Sequence, residues 1–356
     1  MLILLNDNRS LLSGSPQSGF FATGFLAWRS NGGCSNQRVQ PVRRAIIDVG
    51  TNSVKLLVAD VTGHHVEPVW EGSRQTRLGT GFYETHLLQP QAICRTAAAV
   101  AKFAATARGW KAGSIRVIAT SAARDAVNPE DLVSAIERDA GLNVEIISGD
   151  REAEWTFQGA TSDPQLALHP LLLLDVGGGS TEFILGQGEH KHFQASVPLG
   201  TVRLLATLPH ADPPGPEALA GCRQWLHEFL SGHVRPTLEP AMRSETTAPR
   251  VVGGLQLVGT GGTASILARM EAKLENFDRS RIESVRLSRE RVRWHANHLW
   301  SLPLSSRQQI VGLPKNRADV ILTGVAIYEA VMEEFGFSEL RITTRGLRFA
   351  AVMDSA

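Results

Sequence analysis

The sequence runs to 356 residues, 43% of them apolar and 20% charged, which is enough for two ordinary domains with separate cores. Its 36 basic and 35 acidic side chains cancel to a formal charge of +1, so there is no global electrostatic footprint for nucleic acid or an anionic membrane, and neither partner is expected. Cys34, Cys94 and Cys222 stand far apart with no CxxC pair, which argues against a disulfide framework or a structural zinc site and fits a reducing, cytoplasmic setting.

Residues 1–42 differ in composition from the rest of the chain. They are rich in Ser and Gly and carry Arg9, Arg29 and Arg38 against the single acid Asp7, a bias that predicts a disordered extension. The apolar stretch from Gly19 to Trp28 is too short to span a bilayer, and no signal peptide is recognisable. A targeting presequence would have this bias. So would a start codon placed too early, with the working protein beginning near Val39 or Val42, and this second explanation is the simpler one.

From there the chain alternates extended and helical patterns. Residues 45–60, AIIDVGTNSVKLLVAD, form an apolar run, an Asp-Val-Gly, a polar turn and a second β-rich run. Extended stretches continue to about Gly79. A helical pattern comes next over Gln89 to Arg108, then a strand Ile115 to Thr120, a helix Pro129 to Ala140, a strand Val144 to Ser148 and a helix opening after Gly149. The plan then repeats. Residues 171–186, LLLLDVGGGSTEFILG, have the same frame, with strands ending near Gly186 and Leu199, helices from Thr201 and from Pro216, and a strand Leu255 to Val258. Strands followed by alternating helices and strands predict an α/β layer architecture in each half, with the two turns facing one cleft.

The two turns carry chemistry. Asp48 and Asp175 lie 127 residues apart, a sensible size for one domain. Gly50, and Gly177, Gly178 and Gly179, let main-chain N–H groups converge on an anion, while Thr51, Asn52, Ser53, Ser180 and Thr181 add side-chain donors. A carboxylate at the end of the preceding strand repels phosphate unless a divalent cation lies between them, so the two aspartates imply magnesium or a similar ion. A single such turn is as well explained by a hairpin with a solvated Asp. Two copies in the same frame are not.

At this point the residues resemble a known family. DVGTNS at 48–53, ATSAARDAVN at 119–128, EIISGDREAEWTFQGA at 145–160, DVGGGSTEF at 175–183 and VGTGGTAS at 258–265 are similar to successive signature blocks of the exopolyphosphatase and guanosine pentaphosphate phosphohydrolase family. The resemblance covers the chain from about Arg44 to its end. It implies two ribonuclease H-like domains of the actin-like ATPase fold, facing an inter-domain cleft. It also implies magnesium-dependent release of terminal phosphate from polyphosphate or guanosine pentaphosphate. Glu152 matches the family's general base, Arg124 an arginine placed on phosphate, and Asp175 and Glu182 the acidic positions that join Asp48 at the metal. A homodimer is compatible with the same resemblance. The expected layout is a first actin-like domain over 43–168, a second over 169–345 and a C-terminal helix, 346–356, packing back on the first. RITTRGLRFAAVM at 341–353 matches the family's closing strand and helix, so the chain resembles a short form without the extra helical domain of longer relatives.

The residues themselves support these roles. Phosphoryl transfer needs in-line positioning, charge neutralisation and a group that orients water. Glu152 sits at the start of a predicted helix, where, without the resemblance, a favourable first-turn charge with Asp150 as N-cap is the better explanation. Arg124 fits a bidentate phosphate clamp or an ordinary pair with Asp125. Lys55 reaches either phosphate or solvent. Gly261, Gly262 and Thr263 are further candidates for substrate contact. The GxGxxA spacing of Gly259, Gly261 and Ala264 imitates a dinucleotide fingerprint but lies too deep in the second half. No P-loop, HExxH or GxSxG exists, and His64, His65, His227 and His233 lack a partner pattern. The arginines at 279, 281, 286, 289, 291 and 293 predict a solvated helix with internal ion pairs, or else a basic track for polyphosphate. Two other readings compete: an ATP-dependent small-molecule kinase of the same fold, and a non-enzymatic nucleotide sensor or scaffold. A kinase needs an adenine pocket and an acceptor-site carboxylate, and a pure binder has no need of a positioned base.

Overall fold

The computed structural model describes residues 40–247 and 254–354, which belong to one compact unit, Gln40–Ala356. The extension expected over residues 1–42 lies outside the described residues as far as residue 39, and Val42 already opens the first strand.

Strands β1 (Val42–Val49), β2 (Ser53–Thr62), β3 (His65–Gln75), β4 (Ser114–Ala119) and β5 (Val144–Ile146) form one sheet in the order β3-β2-β1-β4-β5. The first three are antiparallel, and β4 and β5 add in parallel. The second half contributes β6 (Leu171–Val176), β7 (Thr181–Gln187), β8 (His190–Val197), β9 (Gln256–Thr260), β10 (Arg286–Ser288) and β11 (Glu339–Ile342). Their order is β10-β11-β9-β6-β7-β8, so β6, β7, β8, β9 and β11 repeat the first sheet strand for strand. Only the short β10 is extra.

Side-chain alternation assigns the faces. In β1, Ala45, Ile47 and Val49 face helices Pro90–Gly109 and Pro129–Ala140, packing on Ala97, Val100, Ala104, Leu132 and Ile136. Ile46, with Leu57 of β2 and Ile118 of β4, faces the opposite way, onto Leu347, Phe349, Ala350 and Val352 of the C-terminal helix Leu347–Met353. In the second sheet Leu172, Leu174, Phe183 and Leu185 meet the helices Pro216–Phe229, Arg289–Ser301 and Ile321–Glu334. Leu171, Leu173 and Ile184 on the other face meet Ala153, Phe157 and Ala160 of the helix Gly149–Thr161. The helix after each half's last parallel strand therefore packs on the sheet of the other half.

The helix Ile321–Glu334 is buried over almost its whole circumference, which explains a sequence apolar on all sides, ILTGVAIYEAVM. Its Tyr328 hydroxyl donates to the Leu174 carbonyl (3.1 Å). The basic segment is not one helix. A short helix Arg279–Ser284, strand β10 and helix Arg289–Ser301 divide it, and its main pairs run between elements: Arg279 to Glu71, Arg291 to Glu271 (2.8 Å) and Arg293 to Glu333. Arg279–Glu283, at 3.7 Å, is an internal pair of the expected kind. Among the described residues no helix is long and apolar enough to cross a membrane.

Candidate active site between two phosphate turns

Both turns close in the same way. In the first, the Gly50 N–H donates to the Ser53 carbonyl at 3.1 Å; in the second, the Gly177 N–H donates to the Ser180 carbonyl at 2.9 Å. Strand register then sets Asp48 opposite Lys55 and Asp175 opposite Glu182. The turns almost touch. A Cβ on Gly178 would lie 3.0 Å from the Thr51 Cβ, and one on Gly179 would lie 2.7 Å from the Ser121 Oγ, so the close approach requires glycine. From behind, Arg203 Nε donates to the Gly179 carbonyl (2.8 Å), and its guanidinium stacks 4.3 Å over Tyr83.

The turns wall a cleft of about 410 Å³. Its lining contains Asp48, Thr51, Asn52, Ser53, Glu152, Asp175, Gly178, Gly179, Ser180, Glu182, Gly261, Gly262 and Thr263, all expected from the sequence. Thr181 is not in the lining: it is fully buried, and its hydroxyl donates to the Leu199 carbonyl. Arg124 also stands back from the wall. Its Nη1 donates to Glu152 Oε2 at 2.9 Å, and its Nε lies 3.6 Å from Asp125, so it reaches the cleft through Glu152. Gly261 opens the helix Gly261–Glu271 at φ +82°, beside Asp175, where a Cβ would collide with Oδ1.

Glu152 lies in the first turn of the helix Gly149–Thr161. The N-cap there is Ser148, whose Oγ accepts from the Arg151 N–H at 3.2 Å, and not Asp150. Burial pushes the Glu152 carboxyl up to about 7, and Asp48 and Asp175 push the same way while the Arg124 hydrogen bond and charge oppose it. Burial also raises Asp175, with Lys55 opposing and Asp48 adding to the rise. Glu182 is raised well above the usual carboxylate range by burial, then by Glu152 and Asp175, although Ser196 Oγ donates to it at 2.9 Å. Acids crowded in this way call for a cation. Among the described residues no three Asp, Glu, His or Cys side chains form a cluster that could by itself hold a metal ion. The donor set fits a hard divalent cation held by one or two carboxylates and completed by phosphate oxygens and water, the habit of magnesium.

Several cations line the cleft, and of these the sequence raised only Lys55, as reaching phosphate or solvent. Lys55 Nζ lies 3.9 Å from Asp48 Oδ2, settling its direction. Arg317 projects from the segment before the helix Ile321–Glu334 and donates to Ser53 Oγ at 2.9 Å. Arg348 lies in the first turn of the C-terminal helix and donates to the Leu56 carbonyl at 3.1 Å. Arg269 joins them on the wall. Arg269 and Arg317 stand in no motif, and the 341–353 block that contains Arg348 marked no site residue; all three come to the cleft from distant parts of the chain.

A family model described as the Ppx/GppA phosphatase family matches residues 57–356. Exopolyphosphatase 2 of Mycobacterium tuberculosis is 33% identical over 303 residues, covering 82% of this chain and 90% of that protein. Among solved structures, an exopolyphosphatase from Cytophaga hutchinsonii superposes with a TM-score of 0.76 at 25% identity, covering 86% of this chain and 96% of that one. The Aquifex aeolicus Ppx/GppA family member gives 0.69 at 27% identity, covering 88% and 97%. Both the paired sheets around a common cleft and these likenesses lead to the same conclusion: the chain belongs to the Ppx/GppA phosphatase family and has its two-part, actin-like α/β fold.

Proposed function

We propose that this protein is an exopolyphosphatase that releases the terminal phosphate of inorganic polyphosphate, with Glu152 as the general base. The observation that carries the proposal is Glu152 itself, a cleft carboxylate poised near pH 7, held by Arg124 and facing two glycine-rich turns. The exopolyphosphatase names of the relatives support the substrate class.

In this scheme the turns seat the terminal phosphates through main-chain N–H groups and the hydroxyls of Thr51, Ser53 and Ser180, with Asn52, Gly261, Gly262 and Thr263 completing the cradle. Water attacks the terminal phosphorus, its proton passes to the Glu152 carboxylate, and the P–O bond to the remaining chain breaks. Lys55, Arg317 and Arg348 balance the charge on the departing chain. Arg124 is a positioning residue that fixes the Glu152 rotamer and favours its ionised form. Magnesium, held by Asp48, Asp175 or Glu182 together with substrate, would supply further charge neutralisation.

Guanosine pentaphosphate is the second substrate reading. It is favoured by Ile266, Phe277 and Leu347, apolar side chains on the same cleft wall that suit a nucleoside better than a bare phosphate chain. The test is phosphate release from long-chain polyphosphate and, separately, from guanosine pentaphosphate, each with magnesium and with EDTA, beside Glu152→Gln. Release that needs magnesium and falls by roughly 10² to 10⁴ in the variant is expected. No release from either substrate with magnesium present would sink the hydrolase proposal, and an active Glu152→Gln would unseat the base.

A further inference from the structure

Four cations line the cleft, and three of them have an acid beside them. Lys55 lies 3.9 Å from Asp48, Arg348 lies 3.4 Å from Glu71, and the charge of Asp319 acts on Arg317. Arg269 has no such partner among the described residues: burial alone lowers its guanidinium from the usual arginine value, with no acid to oppose the shift. Glu271, the one acid on its own helix, is already taken by Arg291 and His295, each at 2.8 Å. A partly desolvated cation without an anion costs the fold stability, a cost that an incoming anion removes.

The Arg269 side chain is held in place. Of its three guanidinium nitrogens, Nη2 donates to the Glu275 carbonyl at 2.6 Å, Nε is enclosed by protein, and Nη1 makes no hydrogen bond among the described residues. Its main chain is fixed as well. The Arg269 carbonyl accepts from the Leu274 N–H at 2.9 Å, and Gly312, at φ +90°, packs so closely on that carbonyl that a Cβ there would collide with it.

Position gives this cation its use. Gly261, Ser265 and Arg269 recur every four residues along the helix Gly261–Glu271, and Gly262 and Ile266 beside them line the same cleft. One face of the helix therefore runs from Gly261, next to Asp175, out to Arg269 in the last turn. Eight residues at about 1.5 Å each separate the two ends by about 12 Å along the axis. A phosphate seated in the turns is too far away to meet Arg269, whereas one further back on the same chain reaches it.

We propose that Arg269 is a specificity-determining residue: it anchors a phosphate well behind the reacting one, and so favours polyphosphate chains long enough to cover two turns of this helix. The inference rests on the polyphosphate reading above. Arg269→Met should raise KM for long-chain polyphosphate roughly 10- to 100-fold, the loss of a charge-assisted hydrogen bond, and the loss should fall on KM rather than kcat. Tripolyphosphate, too short to cover two helical turns, should show little of that loss, and Arg269→Lys should restore part of it for the long chain. Equal losses on both chain lengths would overturn the distal placement, as would a fall in kcat at unchanged KM, and no loss on either would overturn the anchor. Calorimetric binding of long-chain polyphosphate with magnesium, compared between Glu152→Gln and the double variant Glu152→Gln, Arg269→Met, reads the anchor without turnover. Binding weakened by the same factor is expected in the double variant; equally tight binding, with both variants melting like the wild type, would overturn the proposal. A wild type that releases no phosphate, beside a double variant that binds more weakly, would sink the hydrolysis and leave the anchor standing.

Discussion

The two halves share a backbone plan and differ in the sign of their charges. Asp48 and Asp175 end equivalent strands, but the residue opposite is Lys55 in one half and Glu182 in the other. The helix after the last parallel strand carries Glu152 in its first turn in the first half and Arg348 in the second. A cleft walled by two like frames would be symmetric, and these two exchanges remove the symmetry. The first half contributes Glu152 and a lysine; the second contributes Glu182 and an arginine. The frame supplies the glycine-rich turn twice, and a few side chains give the cleft a direction.

The largest effect is expected from making the first half resemble the second. Lys55→Glu sets a carboxylate opposite Asp48, where Lys55 Nζ now lies 3.9 Å away, and leaves four acids facing the cleft without that cation. Losing one preorganised charge partner costs on the order of 10² to 10³ in rate, so kcat/KM for phosphate release should fall at least that far. Lys55→Met, which removes charge without inverting it, should fall less. Equal losses for the two variants would show that the sign of this position does not matter, and the asymmetry would then rest on Glu152 and Arg348 alone.

A smaller effect isolates the base. Arg124 holds the Glu152 carboxyl down, against the burial that pushes it up to about 7. In Arg124→Gln the carboxyl should rise further, and since the ionised form acts as the base in the proposed mechanism, the acid limb of kcat/KM should move to higher pH. A shift on the order of one unit, or about 1.4 kcal/mol, would cost roughly fivefold at pH 7 and be almost fully recovered at pH 9. A uniform loss with an unmoved limb would mean that Arg124 acts on phosphate directly.

The turns were legible in the sequence because their chemistry is local: an apolar strand, an Asp, glycines and hydroxyls within a few residues. So was the Glu152 helix start, apart from its cap, which is Ser148 two residues before Asp150. Thr181 shows where local reasoning fails. It comes directly after Ser180 and has the same chemistry, but strand alternation turns it away from the cleft to the Leu199 carbonyl. Arg317 and Arg348 were missed because folding brings them to the cleft from more than 260 residues beyond Ser53 and Asp48. The arginines at 279–293 misled in a similar way. Their number suggests one charged surface helix, whereas Arg279, Arg291 and Arg293 are chiefly occupied by acids on other elements.

The smallest prediction concerns stability, where the same crowded acids act without substrate. Glu152, Asp175 and Glu182 all have folded values raised chiefly by burial. A carboxyl raised in the folded state binds its proton more tightly there than in the unfolded chain, so the fold is relatively stabilised at low pH and loses that advantage as pH rises through the folded value. Between about pH 5 and 8 the metal-free protein should therefore lose stability, on the order of a few kcal/mol, worth about 2–4 °C of Tm per kcal/mol. A divalent cation that binds the ionised carboxylates reverses the sign, because it favours the charged forms and binds the folded state. Magnesium should thus raise Tm more at pH 8 than at pH 5.5, and Glu182→Gln should reduce both the pH-dependent loss and the gain from magnesium. An equal rise at both pH values would mean that the ion binds elsewhere, and the two halves would then differ in charge without sharing a cation.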